Sequence, residues 1–204
     1  MKVGLIGYGK MNRLIEKACK HPIVCITKDH VHDLSADLYF DFSHKSAVER
    51  NALILAQHGK SVIIGTTGGE SDKIPEAFKQ NGAALFSPNF SKDVARFFLS
   101  LEALCKILGP PLKATEWHHK TKKDSPSGTA LKITQMYGVE FNSIRTDETI
   151  FKHQLEWNEI ILAHEAHDRK AYVAGALEAA EWLYGKKGWH DDYFRHVYAS
   201  NHTL

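Results

Sequence analysis

The first ninety residues alternate short apolar runs with segments whose apolar positions recur every three or four residues. Residues 3–6, 23–27, 38–41, 61–65 and 83–86 are brief apolar runs bounded by turn residues, the pattern of buried strands. The stretches between them predict helices. One covers 10–20 and stops before His21-Pro22. A second covers 43–58, opened by Ser43 as a capping residue and closed by Gly59, and a third covers 70–81, closed by Gly82. Alternation at this spacing predicts an α/β fold with an N-terminal Rossmann-type parallel sheet and helices on both faces.

Beyond residue 90 the pattern changes. Residues 91–108 read as one long helix, ended by Gly109-Pro110-Pro111, and 112–117 as a strand. A polar loop leads into a helix from about Pro126 to Gly138. Residues 140–164 are rich in β-branched and aromatic side chains and predict a small sheet; 168–184 predict a final helix with Ala, Leu and Trp on one face. Phe97, Phe98, Trp182 and Tyr184 fall at helical spacings and are assigned to the core. The switch near Asn89–Ser91 and a return near Tyr172 divide the chain into two domains: a dinucleotide-binding domain over 1–90 and 172–204, and a smaller α/β domain over 91–171 for substrate binding and oligomerisation.

Composition narrows the function classes. The 26 basic and 24 acidic side chains nearly cancel, so neither nucleic acid nor an anionic membrane is an expected partner. No apolar run approaches the roughly 20 residues a membrane helix needs. The strand-like start at Lys2–Ile6 leaves no room for a signal peptide. Cys19, Cys25 and Cys105 are odd in number and form no CxxC pair, which predicts reduced thiols and a cytoplasmic protein. His164-Glu165-Ala166-His167 is one residue short of the HExxH zinc motif, and no metal is expected.

Two segments carry chemistry. Gly7-Tyr8-Gly9-Lys10-Met11 follows the first strand and opens the first helix. There Gly7 permits a tight turn, and Gly9 lets the backbone approach a pyrophosphate at the positive helix end. Asn12 stands where the third glycine of GxGxxG would be. After the second strand come Lys28 and Asp29: a basic residue suits a 2′-phosphate, an acidic one a free ribose hydroxyl. The second segment runs Glu116-Trp117-His118-His119-Lys120-Thr121-Lys122-Lys123-Asp124-Ser125-Pro126-Ser127-Gly128-Thr129-Ala130. A strand ending at Trp117 delivers two histidines and several lysines into a loop, and Ser125-Pro126 read as N-cap and N1 of the next helix. Free amides near Ser127, Gly128 and Thr129 would then form an anion site. An imidazole, an ammonium and an amide pocket within a dozen residues suit protonation of a small carboxylate-bearing substrate.

The second segment resembles the signature of the dihydrodipicolinate reductase family. Gly7–Met11, Asp41-Phe42-Ser43, Gly65-Thr66-Thr67-Gly68, Ser87-Pro88-Asn89-Phe90-Ser91, Ala163-His164-Glu165-Ala166 and residues 175–183 agree with it in order. The resemblance implies a cytoplasmic NAD(P)H-dependent reductase of lysine and diaminopimelate biosynthesis, acting on a cyclic dicarboxylate imine and assembled as a homotetramer. It implies His118 and Lys122 as the acid–base pair. It places His119, Ser127, Gly128 and Thr129, with Lys122, on the substrate carboxylates. Cofactor contacts would come from Gly7, Tyr8, Gly9, Lys10, Met11, Lys28, Gly65, Thr66, Thr67, Ser87, Pro88, Asn89 and Phe90. NADPH is the expected cofactor, with NADH usable. A reductase of another cyclic imino acid and a non-catalytic NAD(P)-binding sensor are the alternatives. Pro88, Asp93 and the shortened stretch between Gly138 and Ile160, where Ile144-Arg145 runs into Thr146-Asp147, depart from the family pattern. That stretch belongs to the sheet through which the family assembles.

Overall fold

The computed structural model describes residues 1–69, 71–122, 125–148, 150–191 and 193. Glu70, Lys123 and Asp124, which figure in the expectations above, lie outside them. The chain divides into two units, one made of Met1–Ser91 with the segment from Lys170 onward, the other of Lys92–Arg169.

In the first unit, β1 (Val3–Ile6), β2 (Ile23–Thr27), β3 (Leu38–Asp41), β4 (Ser61–Ile64) and β5 (Ala83–Phe86) form a parallel sheet with β10 (Gly188–Asp191), in the order β10-β5-β4-β3-β1-β2. Strand periodicity sends alternate side chains to opposite faces. Val3, Leu5, Leu38, Phe40, Ile63 and Leu85 pack on one face with Ile15 of α1 (Lys10–Ala18) and Ala176, Ala179, Ala180 and Leu183 of α6 (Lys170–Leu183). Ile6, Tyr39, Val62, Ile64 and Ala84 pack on the other with Val48, Ala52 and Leu55 of α2 (Lys45–Gln57) and Ile74 of α3 (Lys73–Ala77). Both faces of β1 and β3 are therefore covered, which explains their unbroken burial. The order of strands reverses at β1, with β2 on one side and β3 on the other, and ligands of open α/β sheets bind beyond the carboxyl ends at such a point.

The second unit is built on a four-stranded sheet in the order β7-β6-β8-β9: β6 (Lys113–His119), β7 (Phe141–Thr146), β8 (Phe151–Trp157) and β9 (Ile160–Ala166). β6 and β7 are parallel and the other pairs antiparallel. Phe97 and Leu101 of α4 (Lys92–Leu108) and Ile133 of α5 (Gly128–Tyr137) pack with Ala114, Leu155 and Trp157. Trp157 donates its indole N–H to the Gly109 carbonyl at 2.9 Å, fixing the turn after α4. Among the described residues, no helix is long and apolar enough to cross a membrane.

Several expected boundaries change. Ser43 does not cap α2: its hydroxyl is drawn to Asp41, and His44 is the cap, accepting from the Ser46 amide. The third helix shrinks to Lys73–Ala77, with Pro75 inside it lacking an amide to donate. Tyr184 lies past the end of α6 and is exposed, while Trp182 packs against the core between His190 and Tyr193.

Candidate active site

Gly7 adopts φ +84°, and a Cβ there would sit 2.4 Å from the Phe42 carbonyl oxygen, so only glycine fits. Gly9, the N-cap of α1, has open space on its Cβ side, which leaves the positive helix end accessible. Asn12 is fully buried, and its amide donates to the carbonyls of Ile6 and Gly7 at 2.8 and 2.9 Å. A side chain thus ties the turn where the motif's third glycine would allow only close packing. Lys10 and Lys28 are exposed, and Lys28 is the first residue beyond β2; the Asp29 carbonyl accepts from Asn51.

Gly65, Thr66 and Thr67 follow β4, with the Thr66 hydroxyl on the Ser43 carbonyl at 3.1 Å; Ser87, Pro88 and Asn89 follow β5. The turns after β1, β4 and β5 thus lie at carboxyl ends of one parallel sheet. Gly7, an open helix end at Gly9 and these loops together fit a dinucleotide. Phe90 and Met11 differ from the rest of the expected set. Phe90 is buried in the core, edge-on to Phe42 at 6.0 Å, and the Met11 side chain packs against the same core. Tyr8 is exposed and hydrogen-bonds Glu16, with Arg13 over its ring.

In the second unit, β6 runs through His119 rather than ending at Trp117. Period two then puts Glu116 and His118 on the buried face and Trp117 and His119 on the other. The two histidines, adjacent in sequence, point apart. His119 Nδ1 lies 2.7 Å from the Thr121 hydroxyl, and its carbonyl accepts from the Lys122 amide, turning the loop back. His118 Nε2 lies 3.3 Å from Glu116 Oε2, an ion-pair distance but off the line of a regular hydrogen bond. His153, on β8, packs its ring 5.3 Å from that of His118 and comes 3.7 Å from the same carboxylate.

Glu116 is fully buried and richly coordinated. It accepts from the Ser127 amide at 3.1 Å and the Ser143 hydroxyl at 2.7 Å, and Arg145 stands 3.6 Å away. This corrects two expectations. Ser127, not Ser125, is the N-cap of α5, its hydroxyl accepting from the Ala130 amide. Its own amide is committed to Glu116, so it is not free for substrate. Gly128 and Thr129 supply the next two amides, which have no acceptor within a helix; Gly128 has open space on its Cβ side.

Burial, then the charge on His118, pushes His153 down to about 3, against the pull of Glu116. Burial pushes Glu116 up, but the His118 ring beside it and hydrogen bonds from Ser127 and Ser143 outweigh it and hold the carboxyl below the usual range. Donor atoms of Glu116, His118 and His153 lie within 4.8 Å of one another, near enough for a single cation. Glu116 Oε1 already takes Ser143, however, and His153 Nε2 is 3.0 Å from the Ser127 hydroxyl, so the group is organised as a hydrogen-bond network.

Glu116 and His153 each bind fewer protons folded than unfolded, so stability should rise with pH. The contribution of His153 is present above its ordinary value of 6.5 and drains away as pH falls toward about 3. That of Glu116 goes below its ordinary value of 4.5. Thermal melts should therefore show Tm falling from pH 7 to 4, and His153→Gln should flatten the upper part of that slope. A Tm unchanged across the interval contradicts the assigned charge states.

Glu116 opens the segment noticed in the sequence, but nothing there marked it as the hub. His153 had one signal: it occupies an inward position of the alternating strand that also buries Leu155 and Trp157.

Two family models match. The dihydrodipicolinate reductase N-terminus covers residues 23–90 and its C-terminus residues 94–195. A 4-hydroxy-tetrahydrodipicolinate reductase from Methanocaldococcus jannaschii is 31% identical over 90% of this chain and 77% of its own length. One from Thermosipho africanus is 32% identical over 92% and 93%. A dipicolinate-bound dihydrodipicolinate reductase from a Paenisporosarcina species shares the fold, with TM-score 0.70 at 16% identity over 95% of this chain and 88% of its own. An aspartate dehydrogenase from Thermotoga maritima aligns with TM-score 0.54 at 14% identity, covering 91% and 97%.

Proposed function

We propose that this chain, which belongs to the dihydrodipicolinate reductase family, is a 4-hydroxy-tetrahydrodipicolinate reductase of lysine and diaminopimelate biosynthesis. It is a nicotinamide-dependent oxidoreductase, and its relatives and fold do not favour a sensor or a reductase of another imino acid. The observation that carries the reading is one short segment that holds an imidazole 3.3 Å from a buried carboxylate, a lysine and an open helix N-terminus.

The nicotinamide cofactor, when bound, supplies the hydride, and the residues of the chain do the rest. The Lys10 amide and the rest of the first turn of α1 would receive the pyrophosphate, since the Gly9 amide is taken by the Gly7 carbonyl at 2.9 Å, with the loops at Gly65–Thr67 and Ser87–Asn89 beside it. His118, as imidazolium, delivers the proton that balances the arriving hydride. Lys122, whose charge is felt at His153, stabilises the developing negative charge and pairs with one carboxylate. His119 and the amides of Gly128 and Thr129 hold the carboxylates. Ser127 serves by capping α5. The test is oxidation of NADPH and NADH by the purified protein with freshly generated substrate. Oxidation that requires the dicarboxylate supports the reading; cofactor binding without turnover from pH 5 to 9 defeats it.

NADPH is the proposed preferred cofactor. Lys28 and Lys10 are exposed basic groups near the glycine turn and the end of β2. Two ammonium groups facing a 2′-phosphate contribute about 1–2 kcal/mol, or about tenfold in affinity. Lys28→Glu should abolish or reverse the preference, and salt should shrink it. A kcat/KM favouring NADH in the unmodified protein would assign the ribose to Asp29 instead. We further propose a homo-oligomer with a cytoplasmic location; Ile160 and Ile161 of β9 are exposed apolar side chains suited to such an interface.

A further inference from the structure

The buried carboxylate of Glu116 has no part in the scheme above, yet it reaches both the proposed proton donor, His118, and the N-cap of α5, Ser127. It lies on the same face of β6 as His118, two residues upstream, with 3.3 Å between Oε2 and Nε2. Its other contacts reach the amide of Ser127 at the opening of α5 and the hydroxyl of Ser143 on β7. An ionised, fully buried carboxylate is costly unless donors surround it, and here the cap of α5 and the strand β7 supply hydrogen bonds, with Arg145 nearby.

We infer that Glu116 is a positioning residue for the proposed reduction, holding His118 in its orientation and favouring its charged form while anchoring the first turn of α5. The inference rests on the proposed role of His118 as proton donor. Both His118 ring nitrogens are buried without a regular hydrogen bond, so little else in the described surroundings sets the ring's charge. The groups facing the pair are Arg145 from β7, 3.6 Å from Glu116, and His153 from β8. Behind His153 stand Lys122, in the loop after β6, and His164 of β9, which in turn feels Asp93 of α4. His153 is neutral near pH 7 and adds no competing charge, and among the described residues Glu116 is the carboxylate at ion-pair distance from His118. Ser127 gives the arrangement a second consequence. The carboxylate that orients the donor also fixes the strand-to-helix entry whose next two amides face substrate, so the donor and the anion site share one anchor.

Two substitutions should act in opposite directions. Glu116→Gln keeps the shape but removes the charge, and the alkaline limb of the kcat–pH profile should move about one unit toward acid. Arg145→Gln removes a competing cation and leaves more of the carboxylate's field to His118, so the limb should move toward alkali. Nucleotide KM should stay put in both, because the glycine turn belongs to the other unit. NMR titration of the His118 ring, assigned with His118→Gln, reads the same shifts without turnover. A residue that only supports the fold would lower kcat in both variants and leave the limb in place; that result, or shifts of the same sign, overturns the inference. Should Glu116→Gln fail to fold, Arg145→Gln decides alone by the sign of its shift. If the unmodified protein does not oxidise nucleotide with substrate, the reductase reading fails, while the NMR shift still tests what Glu116 does to His118.

Discussion

Replacing His118 with Gln should lower kcat by about 10²–10⁴ while leaving the substrate KM nearly unchanged, the signature of a lost general acid. Gln fills much the same volume, so the packing against Phe151 and His153 should survive. What is lost is the ring proposed to donate the proton. Steady-state kinetics beside a thermal melt separate this from unfolding. A variant with near-normal kcat would show that the proton arrives by another route, and Lys122 would be the next residue to change.

The second large effect concerns the cofactor unit. Gly175, in α6, faces Phe90, and a Cβ there would lie 1.6 Å from the Phe90 carbonyl oxygen. Backbone cannot yield as a flexible side chain can, so Gly175→Ala should push α6 off the sheet. About 2–3 kcal/mol of stability should go, in the range of overpacked cores, or about 5–10 °C in Tm. Nucleotide affinity should fall as well, since Phe90 directly follows Ser87-Pro88-Asn89. Gly9→Ala is the contrast: its Cβ meets nothing within 4 Å and its φ of −90° suits alanine. That variant should keep its Tm and lose nucleotide binding. Equal melting temperatures for the two would refute the packing argument, and unchanged nucleotide affinity in Gly9→Ala would remove the pyrophosphate from the α1 terminus.

Much of the first unit was legible because burial on both faces leaves strands as continuous apolar runs. Four of its strands match the expected spans to the residue. The sixth, Gly188–Asp191, escaped notice: Gly-Trp-His-Asp has no apolar run, and parallel pairing with β5 makes it a strand. Asn12 read as a defect in the glycine motif, yet its three hydrogen bonds to carbonyls hold the turn together. Those partners include Phe40, 28 residues away, which local spacing does not reveal.

At the site, local sequence identified the histidines and the helix opening but misplaced their geometry. Extending β6 by two residues turned a pair of neighbouring imidazoles into side chains on opposite faces. Ser125 followed by Pro126 resembles a helix start by composition. Ser127 caps instead, because Glu116 takes its amide while the side chain satisfies Ala130. Tertiary partners decided each case: a carboxylate eleven residues upstream, and His153 from a strand beyond β7.

The most direct test follows the hydrogen itself. The purified protein is given freshly generated 4-hydroxy-tetrahydrodipicolinate and NADPH carrying deuterium at both C4 positions, and the product is weighed by mass spectrometry. The reductase reading predicts a tetrahydrodipicolinate one mass unit heavier than that formed with unlabelled NADPH, one per NADPH consumed, with the label lost from the product in none of the His118 or Glu116 variants that still turn over. Unlabelled product, or nucleotide consumed without product, would contradict hydride transfer to this substrate.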